Sequence, residues 1–450
     1  MTGHAPETAL EKIRKFEITN LTVLHLAVPM TLAYLTTPLL GLVDTAVVGR
    51  FGDAALIGGL AIGAIIFDLI FTTFNFLRSG TTGLVSQAYG AEDEKEMQAI
   101  LFRALSIAFA AGLVMVFLSP VLLSLGLWAM APSAGVAEAT STYFLIRCLS
   151  APFALGNYVV VGWLLGIGRS KTTLAVQFLL NGINIVLSLF LGLGLGWAIE
   201  GVAIATIAGE VVALIVGLLV CWNLLDHSVR PSRQRVLDAK AWKRLVNLNA
   251  DIMVRSFSLV FAFAYFTSQG TRFGEITLAA NAILMHFFII SGYFLDGLAT
   301  AAEQIVGRSV GARFRDGFWK GVRLTLFWSA VMALLCAAVF WFGGPALINL
   351  MTTSSEVRAE ALVYLVWAAL VPLSAMLAFH MDGVFIGATW SRDMSLMMMI
   401  SLAGYLVVWW FVREPLGNHG LWLALHSFVL FRGFTLAARL RPRATMTFQT

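Results

Sequence analysis

The sequence predicts an all-α polytopic membrane protein, with twelve transmembrane helices in two pseudo-symmetric six-helix bundles. Three observations carry this. The chain is 59% hydrophobic and only 12% charged over 450 residues, whereas about a quarter of the residues in a soluble domain are charged. Windows of about 20 apolar residues, each able to cross roughly 30 Å of hydrocarbon, recur along the whole length. The two halves also match one another at an offset near 220 residues.

Residues 1–19 are polar and amphipathic and are expected to form a cytoplasmic extension. Apolar runs follow at roughly 20–48, 54–78, 101–124, 136–158, 169–191 and 199–222, then at 245–267, 277–303, 321–342, 358–384, 393–412 and 419–437. The first is too long for a signal-peptide core, and no small-residue cleavage site follows it. No alternation of apolar and polar residues suggests a membrane barrel. Residues 20–222 are therefore an N-lobe, 223–244 a basic cytoplasmic linker, 245–437 a C-lobe and 438–450 a basic cytoplasmic tail.

Orientation follows from the cations. Of the 30 Lys and Arg residues, 22 fall in segments that are cytoplasmic if the N-terminus is inside, four in outer loops and four (Arg78, Arg147, Arg255, Arg432) within spans. The excess satisfies the positive-inside rule with both termini cytoplasmic, and the cell inner (plasma) membrane is the expected location. The net charge of +5 thus reflects topology and not nucleic-acid binding. Cys148, Cys221 and Cys336 lie in apolar spans without metal-ligand spacing and read as packing residues.

The internal repeat is seen in paired residues. Phe51-Gly52-Asp53 answers Phe273-Gly274-Glu275, Gly90-Ala91 answers Gly311-Ala312, and Pro152 answers Pro372. Six helices in each half give both halves the same orientation, related by an axis along the membrane normal, as in parallel-repeat transporters.

Charge inside the spans marks the candidate site, because such residues are costly and persist where something pairs or uses them. Asp44 is the most informative. It shares its helix with Pro29 and Pro38, which remove backbone hydrogen bonds and can bend or hinge it. Asn181, Asn184 and Ser188 fall on one face of the fifth helix, where they can either hold Asp44 or bind helices together; Ser188 reads as the second kind. Asp251 and Arg255, at i and i+4, are expected to form a structural pair. Asp296, Glu303 and Asp382 are open candidates for substrate or ion contact in the C-lobe. Arg78, Glu210 and Asp68 read as lobe-internal pairs.

No phosphate-cradling loop and no nucleophile–base constellation occurs, which leaves an ion gradient as the driving force. No cofactor and no metal site is expected. A lipid-linked precursor flippase would need a strongly cationic cleft, and an intramembrane enzyme a nucleophile or metal motif; neither is evident.

With these residues in hand, the chain resembles the multidrug and toxic compound extrusion (MATE) family and, within it, the DNA-damage-inducible F (DinF) branch. The resemblance rests on Pro29-Met30-Thr31, Val43-Asp44-Thr45-Ala46-Val47-Val48-Gly49, Leu77–Gly83 through Gln87–Ala91, Asp251-Ile252 with Arg255, Leu295-Asp296-Gly297 with Glu303, and Asp382–Thr389. It implies two six-helix lobes around a V-shaped central cleft, and cation-coupled export of amphipathic or cationic small molecules by a monomer. It also implies protonation at Asp44, bending of the first helix at Pro29, and a fifth-helix asparagine at Asn184. Where many relatives carry a second carboxylate, this chain has Ser188. That departure favours H⁺ over Na⁺ as the coupling ion, since a hard cation asks for several oxygen ligands.

Overall fold

The computed structural model describes residues 17–449; most of the expected N-terminal extension, residues 1–16, lies outside them. All regular structure among the described residues is helical. The N-lobe contains α1 (Asn20–Gly49), α2 (Ala54–Thr72), α3 (Phe76–Gly90), α4 (Glu94–Met130), α5 (Ala134–Cys148), α6 (Ala151–Gly166), α7 (Ser170–Leu187) and α8 (Ala198–Leu224). A short α9 (Arg233–Val236) lies in the linker. The C-lobe contains α10 (Ala239–Gly270), α11 (Glu275–Gly311), α12 (Arg315–Met351), α13 (Ser355–Gly387) and α14 (Ser391–Gln449).

Among the described residues, ten segments are long and apolar enough to cross a bilayer, or eleven when α5 and α6, bent by 52°, count as one span. The 59 residues of α14 would run about 88 Å if continuous, at ~1.5 Å per residue. They break instead at Gly417, with φ 53° and ψ −130°, and the chain folds back. Gly404 packs on Phe431, and Asp393 pairs with both Arg439 and Arg443. The hairpin supplies two crossings and brings the total to twelve. Several helices outrun the apolar windows, as α3 does in reaching Gly90 and α4 in starting at Glu94, because hydropathy sees only the hydrocarbon-facing part of a helix. Local signals fix the ends: Thr19 closes a capping box on α1, and Asp53, Asp93 and Ser354 cap α2, α4 and α13.

Each lobe has its own core. Leu77, Phe144, Trp163 and Leu164 are buried in the first; Phe266, Phe287, Tyr405, Trp422 and Phe428 in the second. Outward-facing Phe117, Trp128, Phe342 and Phe411 present the apolar surface that a bilayer solvates.

The lobes are in contact from one end to about midway. A Cβ on Gly90 would lie 2.1 Å from the Arg308 carbonyl oxygen, and one on Gly311 would lie 1.9 Å from that of Gln87. These two contacts are images of one another under the repeat, and only glycine lets the backbones approach so closely. The Gln87 amide donates to the Gly387 carbonyl (3.0 Å) and to Thr389 Oγ1 (3.1 Å). Arg244 ties the same two residues by donating to Gln87 Oε1 (3.1 Å) and Thr389 Oγ1 (3.3 Å). Ser170 and Gln304 add a further interlobe bond at 3.2 Å. Midway along, Tyr34 Oη and Thr300 Oγ1 are 3.0 Å apart. Beyond Tyr34 no residue of α1 bonds to the C-lobe among the described residues, so the cleft widens away from the closed end.

The close glycine contacts give a first testable outcome. Gly311→Ala places a methyl group inside the Gln87 carbonyl and must separate the backbones there. Spin labels on exposed Lys95 and Arg392, one on each lobe, should report longer distances than in the parent; an unchanged distribution would contradict the contact.

Candidate functional site

A cavity of about 470 Å³ lies in the N-lobe. Asp44 sits in its wall near the end of α1 and is 7% exposed. Its carboxylate accepts one hydrogen bond, from Ser188 Oγ at 3.0 Å, and Ser188 also approaches Asn184 Oδ1 at 3.3 Å. Asn184 donates to Thr206 (2.7 Å) and Asn181 donates to Thr36 (2.7 Å). The sequence placed the weight on the asparagines and treated Ser188 as packing, but Ser188 is the side chain that touches Asp44. The reason lies in the backbone. At Ser188 the α-helix gives way to a π-helical turn over Ser188–Gly194, a device often found at functional sites. Gly192 within that turn packs on Val47 of α1, which draws the start of the turn against Asp44.

Two further acids line this cavity. Glu210 on α8 pairs with Arg147 on α5 at 2.9 Å, and the guanidinium of Arg147 also lies 4.0 Å over the Phe67 ring. Asp68 on α2 is exposed to the cavity and has no hydrogen bond or ion pair among the described residues. Glu210 is thus paired within its lobe, as its sequence suggests, and Asp68 is not.

The second cavity, about 330 Å³, lies in the C-lobe and adjoins the first at Tyr34, Asn75 and Arg78, which line both. Asp382 on α13 carries two arginines, Arg255 Nη1 at 2.9 Å and Arg432 Nη2 in close contact. The pair expected between Asp251 and Arg255 is therefore not formed. Arg255 turns across the cavity to Asp382, and Asp251 accepts from Ser391 Oγ at 2.7 Å, because the i, i+4 partner on the same helix is outcompeted by a buried carboxylate on another. Arg78 corrects a second expectation. Its Nη1 lies 3.7 Å from Glu303 Oε2, so it bridges the lobes instead of pairing within one. Asp296 also lines this cavity and has no ion pair among the described residues.

All four in-span arginines thus stand in the walls of the cleft. Arg147 and Arg432 were countable in the sequence but carried no assigned partner. The signal that finds them is the cost of an isolated charge in a membrane, which demands a carboxylate for each.

Two matched six-helix lobes, converging at one end around a cleft whose walls hold buried carboxylates and arginines, define a secondary transporter and not an enzyme. The MatE family profile matches residues 29–190 and again 252–411, once in each lobe. The chain belongs to this family, the MATE antiporters of drugs and toxic compounds, and is a multi-pass membrane protein. It is 37% identical to DNA damage-inducible protein F of Escherichia coli (strain K12) over 92% of this chain and 90% of that protein. It is 27% identical to the chloroplastic protein DETOXIFICATION 44 of Arabidopsis thaliana, over 98% of this chain and 84% of that one. Among solved structures it superposes on a MATE protein crystallised in a bent conformation with a TM-score of 0.86, covering 95% of this chain and 97% of that chain at 18% identity.

Proposed function

We propose that this protein exports amphipathic or cationic small molecules in exchange for protons, with Asp44 as the group that takes up the coupling proton. One observation carries the reading. Asp44 is buried in the cavity wall with a single hydroxyl donor at 3.0 Å and no Lys or Arg within ion-pair reach among the described residues. A carboxylate so placed is costly to keep ionised in a membrane, by a few kcal/mol, and can switch between accepting from Ser188 and donating once protonated. A Na⁺ ion at this point would have one carboxylate, where a hard cation asks for several oxygen ligands.

The lobes, residues 20–222 and 245–437, rock against one another about the glycine contacts. Both termini and the basic linker are cytoplasmic by the charge count, so the closed end faces the cytoplasm and the cleft opens outward to collect protons. Pro29 and Pro38 interrupt the hydrogen bonding of α1 and let it bend as Asp44 changes state, with Pro29 as the hinge. In the C-lobe, Asp382 is committed to two arginines and Glu303 faces Arg78, which leaves Asp296 as the acid free to meet substrate.

The coupling ion is tested by imposing gradients separately. Reconstituted in proteoliposomes, the protein should extrude a cationic dye when only a pH gradient is present, and do so in Na⁺-free buffer. Efflux driven by a Na⁺ gradient at constant pH would assign the coupling to sodium.

A further inference from the structure

We infer a second recognition point in the N-lobe cavity, separate from Asp44, formed by Asp68, Glu210 and Asn157 and built to hold a cation that donates hydrogen bonds: an amidinium, a guanidinium or a primary ammonium. The inference rests on the proposed export of cationic molecules and goes on to name which cations this cavity selects and by which residues.

The argument is an inventory of acceptors. Glu210 is 6% exposed and so is Asn157, and both line the cavity. Each leaves one buried acceptor without a donor: Oε2 of Glu210 and Oδ1 of Asn157. Their other polar atoms are engaged, since Glu210 Oε1 pairs with Arg147 at 2.9 Å and Asn157 Nδ2 donates to the Glu210 backbone carbonyl at 2.9 Å. That last bond also fixes the two residues beside one another. Buried acceptors are seldom left unmatched, and one that stays so in a native structure calls for a missing partner. Asp68 adds a carboxylate that opens on the same cavity with no partner of its own.

The charged groups around this point are Asp68, Glu210 and Asp44 on the acidic side and Arg147 on the basic side, with Arg78 at the seam to the other cavity. Arg147 is occupied by Glu210, by Ser150 Oγ at 2.5 Å and by the Phe67 ring, so one guanidinium does not satisfy all three acceptors. What fits is a ligand with several N–H donors and a positive charge, because it can meet two carboxylates, Asp68 and Glu210, and the Asn157 amide oxygen together. A quaternary ammonium or phosphonium ion supplies the charge without the donors and leaves the buried acceptors unmatched. The flat side of such a ligand has a surface as well: Phe67 and Phe71 stack with centroids 3.8 Å apart at 15° on the same helix as Asp68, and Phe71, Tyr143 and Tyr158 line the cavity.

Equilibrium binding to the full chain in detergent at fixed pH, with no gradient imposed, tests this. Two probes are compared: the aromatic bis-amidine pentamidine, rich in N–H donors, and tetraphenylphosphonium, which has none. Asp68→Asn should weaken pentamidine by about tenfold, the loss typical of a hydrogen bond to a charged group, and leave tetraphenylphosphonium within about twofold. Asn157→Leu should weaken pentamidine in the same selective way, and unchanged tetraphenylphosphonium binding shows in each case that the protein is folded. Equal losses for both probes, or no loss for pentamidine in either variant, would overturn the inference. Because binding is read without a gradient, a failure here is distinct from a failure of proton coupling at Asp44.

Discussion

Asp44→Asn should abolish proton-driven efflux while leaving the protein folded. The substitution keeps the shape of the side chain and one carbonyl-type acceptor, so Ser188 Oγ, at 3.0 Å from the carboxylate, still finds a partner and α1 stays in contact with the π-helical turn. The stability change is then limited to the difference between a charged and a neutral hydrogen bond, about 1 kcal/mol. What is lost is the second protonation state. An amide neither gains nor releases a proton in the accessible range, so the conformational cycle has no ionisation to couple to and uphill efflux falls to the rate of protein-free liposomes. The measurement is dye efflux from proteoliposomes under a pH gradient, with the thermal unfolding midpoint taken on the same sample. Efflux at the parent rate would remove Asp44 from the coupling role. Ser188→Ala refines the result. It deletes the hydroxyl that donates to Asp44 without touching the carboxylate, so proton-driven efflux should persist where that of Asp44→Asn is lost.

The sequence and the structure agree most where one residue pattern dictates one physical outcome. Spans follow from runs of apolar residues, because a backbone in hydrocarbon has no alternative to a helix. The twofold plan follows from paired signals such as Gly90 and Gly311, each of which lies against the backbone of the other lobe. Asp44 was legible for the same kind of reason: an acid in an apolar run has few explanations. What the sequence does not carry is which partner a charge chooses. Arg255 has Asp251 one turn away on its own helix, yet goes to Asp382 on α13, and this depends on how three helices pack. Arg78 is one residue in a pattern that reads as N-lobe, and its partner Glu303 belongs to the other lobe. Ser188 was undervalued because the π-helical turn that aims it at Asp44 has no local sequence signature apart from the glycines at 192 and 194.

The two cavities also differ in how their charge is held. In the N-lobe, Asp44 and Asp68 have no ion pair among the described residues, and one Arg147–Glu210 pair accompanies them. Around the C-lobe cavity, Arg255, Arg432 and, reaching across from the N-lobe, Arg78 face three carboxylates, and two of those carboxylates are already within ion-pair reach of arginine. The proposed proton uptake at Asp44 therefore falls to the wall with the fewer cations, while around the C-lobe cavity Asp296 alone is left without an ion pair among the described residues and the Asp382 pairs hold the helices together.

That contrast sets the second large effect. Asp382→Asn should destabilise the protein by about 3–5 kcal/mol, the cost of breaking a buried ion pair by removing one partner. Arg255 is 8% exposed and Arg432 only 3%, and both direct guanidinium groups at the one carboxylate. An asparagine in its place offers one neutral acceptor to two buried positive charges on α10 and α14. Arg432 retains only the Phe379 ring, 5.5 Å away, and Arg255 retains no acceptor among the described residues. The unfolding midpoint in detergent should fall clearly below that of the parent. The destabilisation should be recovered by also replacing Arg255 and Arg432 with methionine, since removing the stranded charges removes the penalty and fills the space with apolar side chains of similar length. If Asp382→Asn melts with the parent, water in the adjoining cavity is solvating both arginines and the network is not structural. If the triple variant recovers stability but loses transport, the charges serve the cycle as well as the fold.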